Sequence, residues 1–318
     1  MNQNKLDLIF KAYDVRGIYG DTLTLETAYN IGVAFSEFVQ SEKIIVGHDG
    51  RTSNLEIFNA IATGIKSKNK DVHYIGTVPT DVVYSLSGLL DLPGLIITAS
   101  HNPKEWNGFK FCNRGASPIG VESGLLEIKK LASKNYALPL VLAESKKEDV
   151  TDIYINHLKE IVNPEHINSS IKFAIDGGNG AIGSVIDSLS SKYGLNYEGI
   201  YMDVDGTFPN HPADPSNPKN LEELVNLVLE KNYQFGVAFD GDADRAVFSD
   251  DKGNLISGSI MTAIISDWLL AKRGEIKVVH NVNVPPSVTS YLNKKGVNLI
   301  RSKVGHSYIK QIMRDEDA

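Results

Sequence analysis

Gly94-Leu-Ile-Ile-Thr-Ala-Ser-His-Asn-Pro103 is an apolar run followed at once by a polar, bend-prone sextet. A short run of this kind reads as a buried strand, and residues 98–103 read as the loop that ends it and displays Ser100. By itself this composition is that of an ordinary turn. Its weight comes from a second stretch built the same way: Phe235-Gly-Val-Ala-Phe239 runs into Asp240-Gly-Asp-Ala-Asp-Arg245.

Working outward from the first stretch, Leu25, Ala28, Ile31, Phe35 and Phe38 fall on one stripe at helical spacing. Lys43-Ile-Ile-Val-Gly-His-Asp-Gly-Arg51 reads as a buried strand ending in a polar turn, followed by a helix capped near Ser53 and running to about residue 66. A strand over 71–76, a helix over 81–90 and the strand over 94–98 complete the module. Phe10-Lys-Ala-Tyr-Asp-Val-Arg-Gly17 precedes it as a loop, with Arg16 read as a solvated cation. Lys146-Lys-Glu-Asp149 reads as a linker, and a helix over 151–162 is closed by Asn163-Pro164. The pattern then restarts with strands over 171–176, 196–201 and 235–239, and a third time over 276–280 and 297–300, with a helix beginning near Gly305. The repeat predicts an α/β fold of tandem α/β/α modules with mixed, mainly parallel sheets, the helices serving as crossovers. The expected division is 1–150, 151–252 and 253–318, the first two modules complete and the third partial, as though the chain were cut short.

Composition narrows the class. The 318 residues are 42% hydrophobic and 22% charged, enough for more than one core. A net charge of -7 argues against a general nucleic-acid or acidic-membrane surface, so an anionic ligand must be held by a local cluster of cations or a metal. The single cysteine, Cys112, excludes an internal disulfide framework and reads as a small core residue in a reducing compartment. No signal-peptide pattern opens the sequence, and the apolar helix over 260–271 is interrupted by Asp267 and too short to span a bilayer. These features predict a cytoplasmic protein.

The chemistry lies in the two loops. Asp240, Asp242 and Asp244 alternate with Gly241 and Ala243, so three carboxylates converge from a tight bend; an all-oxygen set points to Mg²⁺ or a close relative rather than zinc. An EF-hand also begins D-x-D-x-D, but its sixth and twelfth positions here are Arg245 and Asp251, and the preceding segment reads as a strand. Gly178-Asn-Gly-Ala-Ile-Gly183 fits a dinucleotide fingerprint, with Glu198 or Asp203 as the ribose acid, and keeps an NAD-dependent oxidoreductase as an alternative of another class. Against it, Asp176 would face the pyrophosphate, and a dinucleotide leaves Ser100 and the aspartates unexplained; the glycines then serve a tight strand-to-helix turn. A serine, a carboxylate-bound Mg²⁺ and loop cations are the parts of phosphoryl transfer. Lys110 is placed to fold back toward the same mouth; as an acid/base its pKa must fall, and its other reading is an exposed strand lysine.

These motifs carry a resemblance. Residues 98–103 with Asn107-Gly-Phe-Lys110, residues 240–245, residues 10–17, and Lys303-Val-Gly-His306 resemble the α-D-phosphohexomutase family, in its phosphomannomutase/phosphoglucomutase branch. The resemblance implies an intramolecular phosphotransferase that interconverts hexose 1-phosphate and hexose 6-phosphate through a phosphoserine and a bound hexose 1,6-bisphosphate. It implies that Ser100 is the phosphoserine, that Ser100, Asp240, Asp242 and Asp244 hold Mg²⁺, and that Arg16 and Arg245 stabilise phosphoryl charge. Lys110 and His306 become acid/base candidates, and His101 a support of the serine loop. The family's sugar-binding Gly-Glu-x-Ser-Gly-His loop and its fourth domain have no counterpart here, and Asn283 stands where a basic residue is usual. The sister phosphoglucosamine mutase, which usually has Ser at the place of Thr98 and Gly at that of Ala243, and a non-catalytic fragment that binds metal and phosphosugar, are the other readings.

Overall fold

The computed structural model describes residues 3–163 and 167–318, the side chains of residues 3, 4, 306 and 307 excepted. In chain order the first part comprises α1 (Gln3–Ile9), β1 (Val15–Ile18), α2 (Leu25–Phe38), β2 (Lys43–His48), α3 (Asn54–Lys66), β3 (Asp71–Thr77), α4 (Thr80–Leu90), β4 (Gly94–Ile97), β5 (Trp106–Asn113), β6 (Ser117–Pro118) and α5 (Leu125–Ala132). The sheet runs β1-β5-β4-β2-β3, with β6 on β5. Its centre is parallel, β2 lying between β3 and β4, while β5 runs antiparallel to both β4 and β1.

The central strands are apolar without alternation because both faces are covered. Ile44 and Val46 of β2, with Leu95 and Ile97 of β4, point into a core closed by α2, α3 and α5. Ile45 and Ile96 point the other way, into a second core with Val82, Val83 and Leu86 of α4. That second core also takes Tyr154 and Ile155 of α6 (Thr151–Ile161), Ile175 of β7 (Lys172–Asp176), and Val185 and Ile186 of α7 (Gly183–Tyr193). One apolar layer therefore serves two sheets, and residues 1–253 form one compact unit. The second sheet continues with β8 (Asn196–Ile200), α8 (Glu222–Lys231), β9 (Phe235–Phe239) and β10 (Ala246–Asp250). Its strands in this unit lie in the order β10-β9-β7-β8, parallel except for β10.

Residues 254–318 form the other unit: β11 (Leu255–Ile256), α9 (Gly258–Arg273), β12 (Lys277–Asn281), α10 (Pro286–Lys294), β13 (Asn298–Ser302) and α11 (His306–Glu316), with β12 and β13 parallel. Helix α9 contains the apolar stretch over 260–271, and among the described residues no helix is long and apolar enough to cross a membrane.

Two local expectations are corrected. The segment over 10–17 is not simply a loop: β1 pairs along β5, and Arg16 sits on it opposite Gly108. Four residues that include an arginine and a glycine carry no periodic signal; pairing along β5 makes them a strand. Ser53 stands at the N-cap of α3, as expected, but makes no side-chain cap bond; its hydroxyl accepts from Asn107 Nδ2 at 2.8 Å. Pro164, expected to close α6, lies outside the described residues. Cys112 is buried in β5, as its apolar setting predicts.

Candidate active site

The loops after β4 and β9 meet. Ser100 Oγ donates to Asp240 Oδ2 at 2.7 Å, joining positions 140 apart in the chain. The expectation of a displayed serine is corrected: Ser100 is fully buried. The Asp240 loop lies directly on it, so closely that a Cβ on Gly241 would stand 2.8 Å from the Ser100 carbonyl oxygen. Ser100 adopts a left-handed backbone, φ 53°, which costs a non-glycine residue about 1–2 kcal/mol and needs surrounding contacts to persist. Part of that support is a relay in which Ser100 N–H donates to Thr98 Oγ1 at 2.8 Å and Thr98 Oγ1 donates to Asp49 Oδ2 at 2.7 Å.

The bend over 240–245 brings one carboxylate oxygen from each of Asp240, Asp242 and Asp244 within 4.8 Å of one another. Ala243 takes φ 54° to make that bend. Burial, reinforced by the charges of Asp242 and Asp244, pushes the Asp240 carboxyl well above the usual carboxylate range. Burial opposes ionisation of Asp242 as well, but the Lys110 ammonium, by its charge and its hydrogen bond, and the hydrogen bond from Thr80 outweigh it and bring Asp242 down to about 2. Thr80 Oγ1 donates to Asp242 Oδ2 at 2.5 Å, and Asp242 Oδ1 is buried without a protein partner. A cluster of hard oxygen donors with an orphaned buried carboxylate oxygen fits a divalent cation such as Mg²⁺.

Lys110, on β5, is buried and donates to Asp242 Oδ2 at 2.5 Å and Asp244 Oδ2 at 2.6 Å. The exposed-lysine reading is therefore set aside, and the expected fall of its pKa is corrected. Burial acts downward, yet the two carboxylates outweigh it and the pKa rises, because the groups around Nζ are anions and not cations.

His101 Nδ1 lies 3.2 Å from Ser100 Oγ and 3.0 Å from Arg245 Nη1. Burial first, and the Arg245 charge second, lower its pKa and favour the neutral imidazole; facing the Arg245 donor, Nδ1 is the acceptor. Arg16 donates from Nε to Asp14 Oδ2 and from Nη1 to Asn102 Oδ1, both at 2.7 Å, which ties it to the serine loop. The Arg245 backbone N–H donates to Asp240 Oδ1 at 3.2 Å, while its side chain is half exposed. His306 begins α11, and its side chain lies outside what the structure describes. Beside His101 a cleft of about 650 Å³ is lined by Asn102, Lys104, Thr207, Asp214 and Asn217 among others.

Sequence reasoning passed over Asp49, Arg51 and Thr80. The first two stand in the polar turn after β2, the strand beside β4, so the shared position of loops at strand ends was the available signal. The glycines over 178–183 make the expected strand-to-helix turn: Asp176 accepts from Gly178 N–H and from His211 Nε2, and Ala181 N–H donates to the Gly241 carbonyl. Both Asp176 oxygens are used inside the protein.

Comparison with known proteins gives the same reading as the loops. Family models described as phosphoglucomutase/phosphomannomutase alpha/beta/alpha domains I, II and III match residues 7–137, 152–253 and 257–318. The phosphomannomutase of Vibrio cholerae is 35% identical over 321 residues, covering 97% of this chain and 69% of the relative. That of Methanocaldococcus jannaschii is 34% identical over 315 residues, covering 98% and 69%. A crystal structure of a phosphoglucomutase/phosphomannomutase family protein from Burkholderia thailandensis, 29% identical, superposes with a TM-score of 0.87 over 98% of this chain and 69% of that one. With three domain matches in order and a third of its residues shared with phosphomannomutases along nearly its whole length, the chain belongs to the phosphoglucomutase/phosphomannomutase family of hexose-phosphate mutases, which are intramolecular phosphotransferases.

Proposed function

We propose that this chain interconverts the 1-phosphate and 6-phosphate of mannose, glucose or both, with Ser100 carrying the phosphoryl group and hexose 1,6-bisphosphate as the bound intermediate. The observation that carries the reading is the 2.7 Å contact of Ser100 Oγ with Asp240, inside a triad of converging carboxylates. Asp240, Asp242 and Asp244, with phosphorylated Ser100, would hold Mg²⁺; when bound, the ion neutralises charge on the transferring group. Arg16, bonded to Asn102, and Arg245, beside His101, serve the phosphoryl oxygens. In phosphorylation of the serine, the Oγ–P bond forms as the bond from phosphorus to the sugar oxygen breaks. Ser100 Oγ gives up its one proton in that step and recovers it on return of the phosphoryl group to sugar. Among the described residues, Asp240 Oδ2 and His101 Nδ1, at 2.7 and 3.2 Å, are acceptors in reach. Lys110 enters proton transfer only after leaving its two carboxylates, and His306 is retained as an acid/base candidate on the resemblance.

The test is phosphoryl uptake. The chain is incubated with glucose 1,6-bisphosphate and Mg²⁺, then analysed by intact-mass and peptide mass spectrometry beside Ser100→Ala. One phosphoryl group within residues 98–110, absent from the variant, is expected; modification elsewhere overturns the assignment. Coupled assays with glucose, mannose and glucosamine 1-phosphates then rank the sugars, and exclusive use of glucosamine would favour the phosphoglucosamine mutase reading.

A further inference from the structure

Arg51 lies at the turn between β2 and α3, and its side chain is entirely buried. A buried guanidinium is costly unless its donors are matched. Here all five of its N–H groups are directed to acceptors. Nη2 donates to the carbonyls of Ser100 at 2.8 Å and Asn102 at 2.7 Å, and Nη1 to those of Pro103 at 2.7 Å and Trp106 at 2.9 Å. Nε pairs with Asp49 Oδ2 at 3.3 Å, and the Phe208 ring stands 5.4 Å from the guanidinium carbon. None of these partners is a reacting group, yet three of them are the backbone of the serine loop, and the fourth, the Trp106 carbonyl, opens β5 just after it.

The contacts close on one peptide. The Ser100 N–H is held through Thr98 to Asp49, and the Ser100 C=O is held by Arg51, which itself rests on Asp49. A residue at φ 53° gripped at both its N–H and its C=O has its Cβ direction set, and that direction is what aims Oγ at Asp240. We infer that Arg51, buttressed by Asp49, is a positioning residue for phosphoryl transfer: it sets the direction of the Ser100 hydroxyl through the loop backbone without touching substrate. A lysine cannot replace it, since three donors on a single nitrogen cannot reach four carbonyls and a carboxylate.

The inference rests on Ser100 as the phosphoryl carrier, and the experiment separates the two. The rate of phosphoryl uptake from glucose 1,6-bisphosphate is measured against its concentration for the full chain and for Arg51→Lys, Thr98→Val and Ser100→Ala, per folded molecule. A displacement of about 1 Å at a reacting atom costs about 100-fold in rate, so the maximal rate in Arg51→Lys should fall by that order. The half-saturating concentration should stay within about twofold, because ground-state binding is left in place. Thr98→Val, which keeps every Arg51 contact and nearly the same volume, should lower the maximal rate in the same manner, and it carries the test alone if Arg51→Lys does not fold. Maximal rates like wild type in the folded variants overturn the inference, as does a change confined to the half-saturating concentration. Uptake by Ser100→Ala, or none by the wild-type chain, overturns the reading beneath it.

Discussion

Removing one carboxylate from the triad should abolish stabilisation by Mg²⁺. Oxygens of Asp240, Asp242 and Asp244 lie within 4.8 Å of one another, and Lys110 is the ammonium that bridges two of them. At that separation each like-charged pair repels by about 3 kcal/mol with an effective dielectric constant near 20, so a dication has substantial repulsion to relieve. A ligand that binds only the native state at a hundred times its Kd adds about 2.7 kcal/mol of stability. For a cooperative unit the size of residues 1–253, that corresponds to a rise in Tm of about 5–10 °C. Thermal unfolding followed by tryptophan fluorescence, with MgCl₂ against NaCl of equal ionic strength, measures it; Asp242→Asn should lose most of the shift. An equal shift in Asp242→Asn, or none in the wild type at saturating Mg²⁺, would refute the metal assignment. The sign with pH follows from the same groups. Asp240 titrates above its ordinary range, so its ionisation costs stability as pH rises from about 4, and a cation that requires the ionised form recovers it. The Mg²⁺ shift should therefore be small near pH 4 and grow as pH rises through the raised titration of Asp240. Asp242, brought down to about 2, contributes stability that is present above about pH 4 and lost as pH falls toward 2.

Two further outcomes test the scaffold. Gly64→Ala lies inside α3, where alanine would ordinarily gain about 1 kcal/mol, but its Cβ would stand 2.3 Å from the Tyr29 carbonyl oxygen of α2. The helices must separate, so urea unfolding should show a loss of about 1–3 kcal/mol; a more stable variant would contradict the packing. His211 Nε2 donates to the Asp176 carboxylate at 2.9 Å and is buried enough to lower its pKa, but the Asp176 carboxylate and the Pro212 carbonyl outweigh burial and raise it. Its stabilising share is present below about pH 6.5 and lost as pH rises through the folded-state value. The Tm gap between wild type and His211→Gln should narrow from pH 6 to pH 9, and a gap that widens would sink the argument.

What could be read from the chain alone was whatever local chemistry dictates. Parallel strands covered on both faces are continuous apolar runs, so β2, β4, β7 and β9 were recognisable from residues such as Ile44, Ile45, Ile96 and Val237. Ser100 and the three aspartates were visible because each follows such a strand, and their residue types suit one chemistry. The four-residue strand β1, the role of Ser53 and the partners of Lys110 were not, since each depends on contacts far apart in sequence. Lys110 meets Asp242 across 132 positions and Ser100 meets Asp240 across 140, and the sign of the Lys110 shift follows from those carboxylates. The apolar layer shared by the two sheets, from Ile45 and Val82 to Ile175 and Val237, brings the ends of β4 and β9 face to face. Burial of that surface is non-directional and leaves no local mark, so only the folded chain reveals that the serine is enclosed, and that Arg51 holds it there.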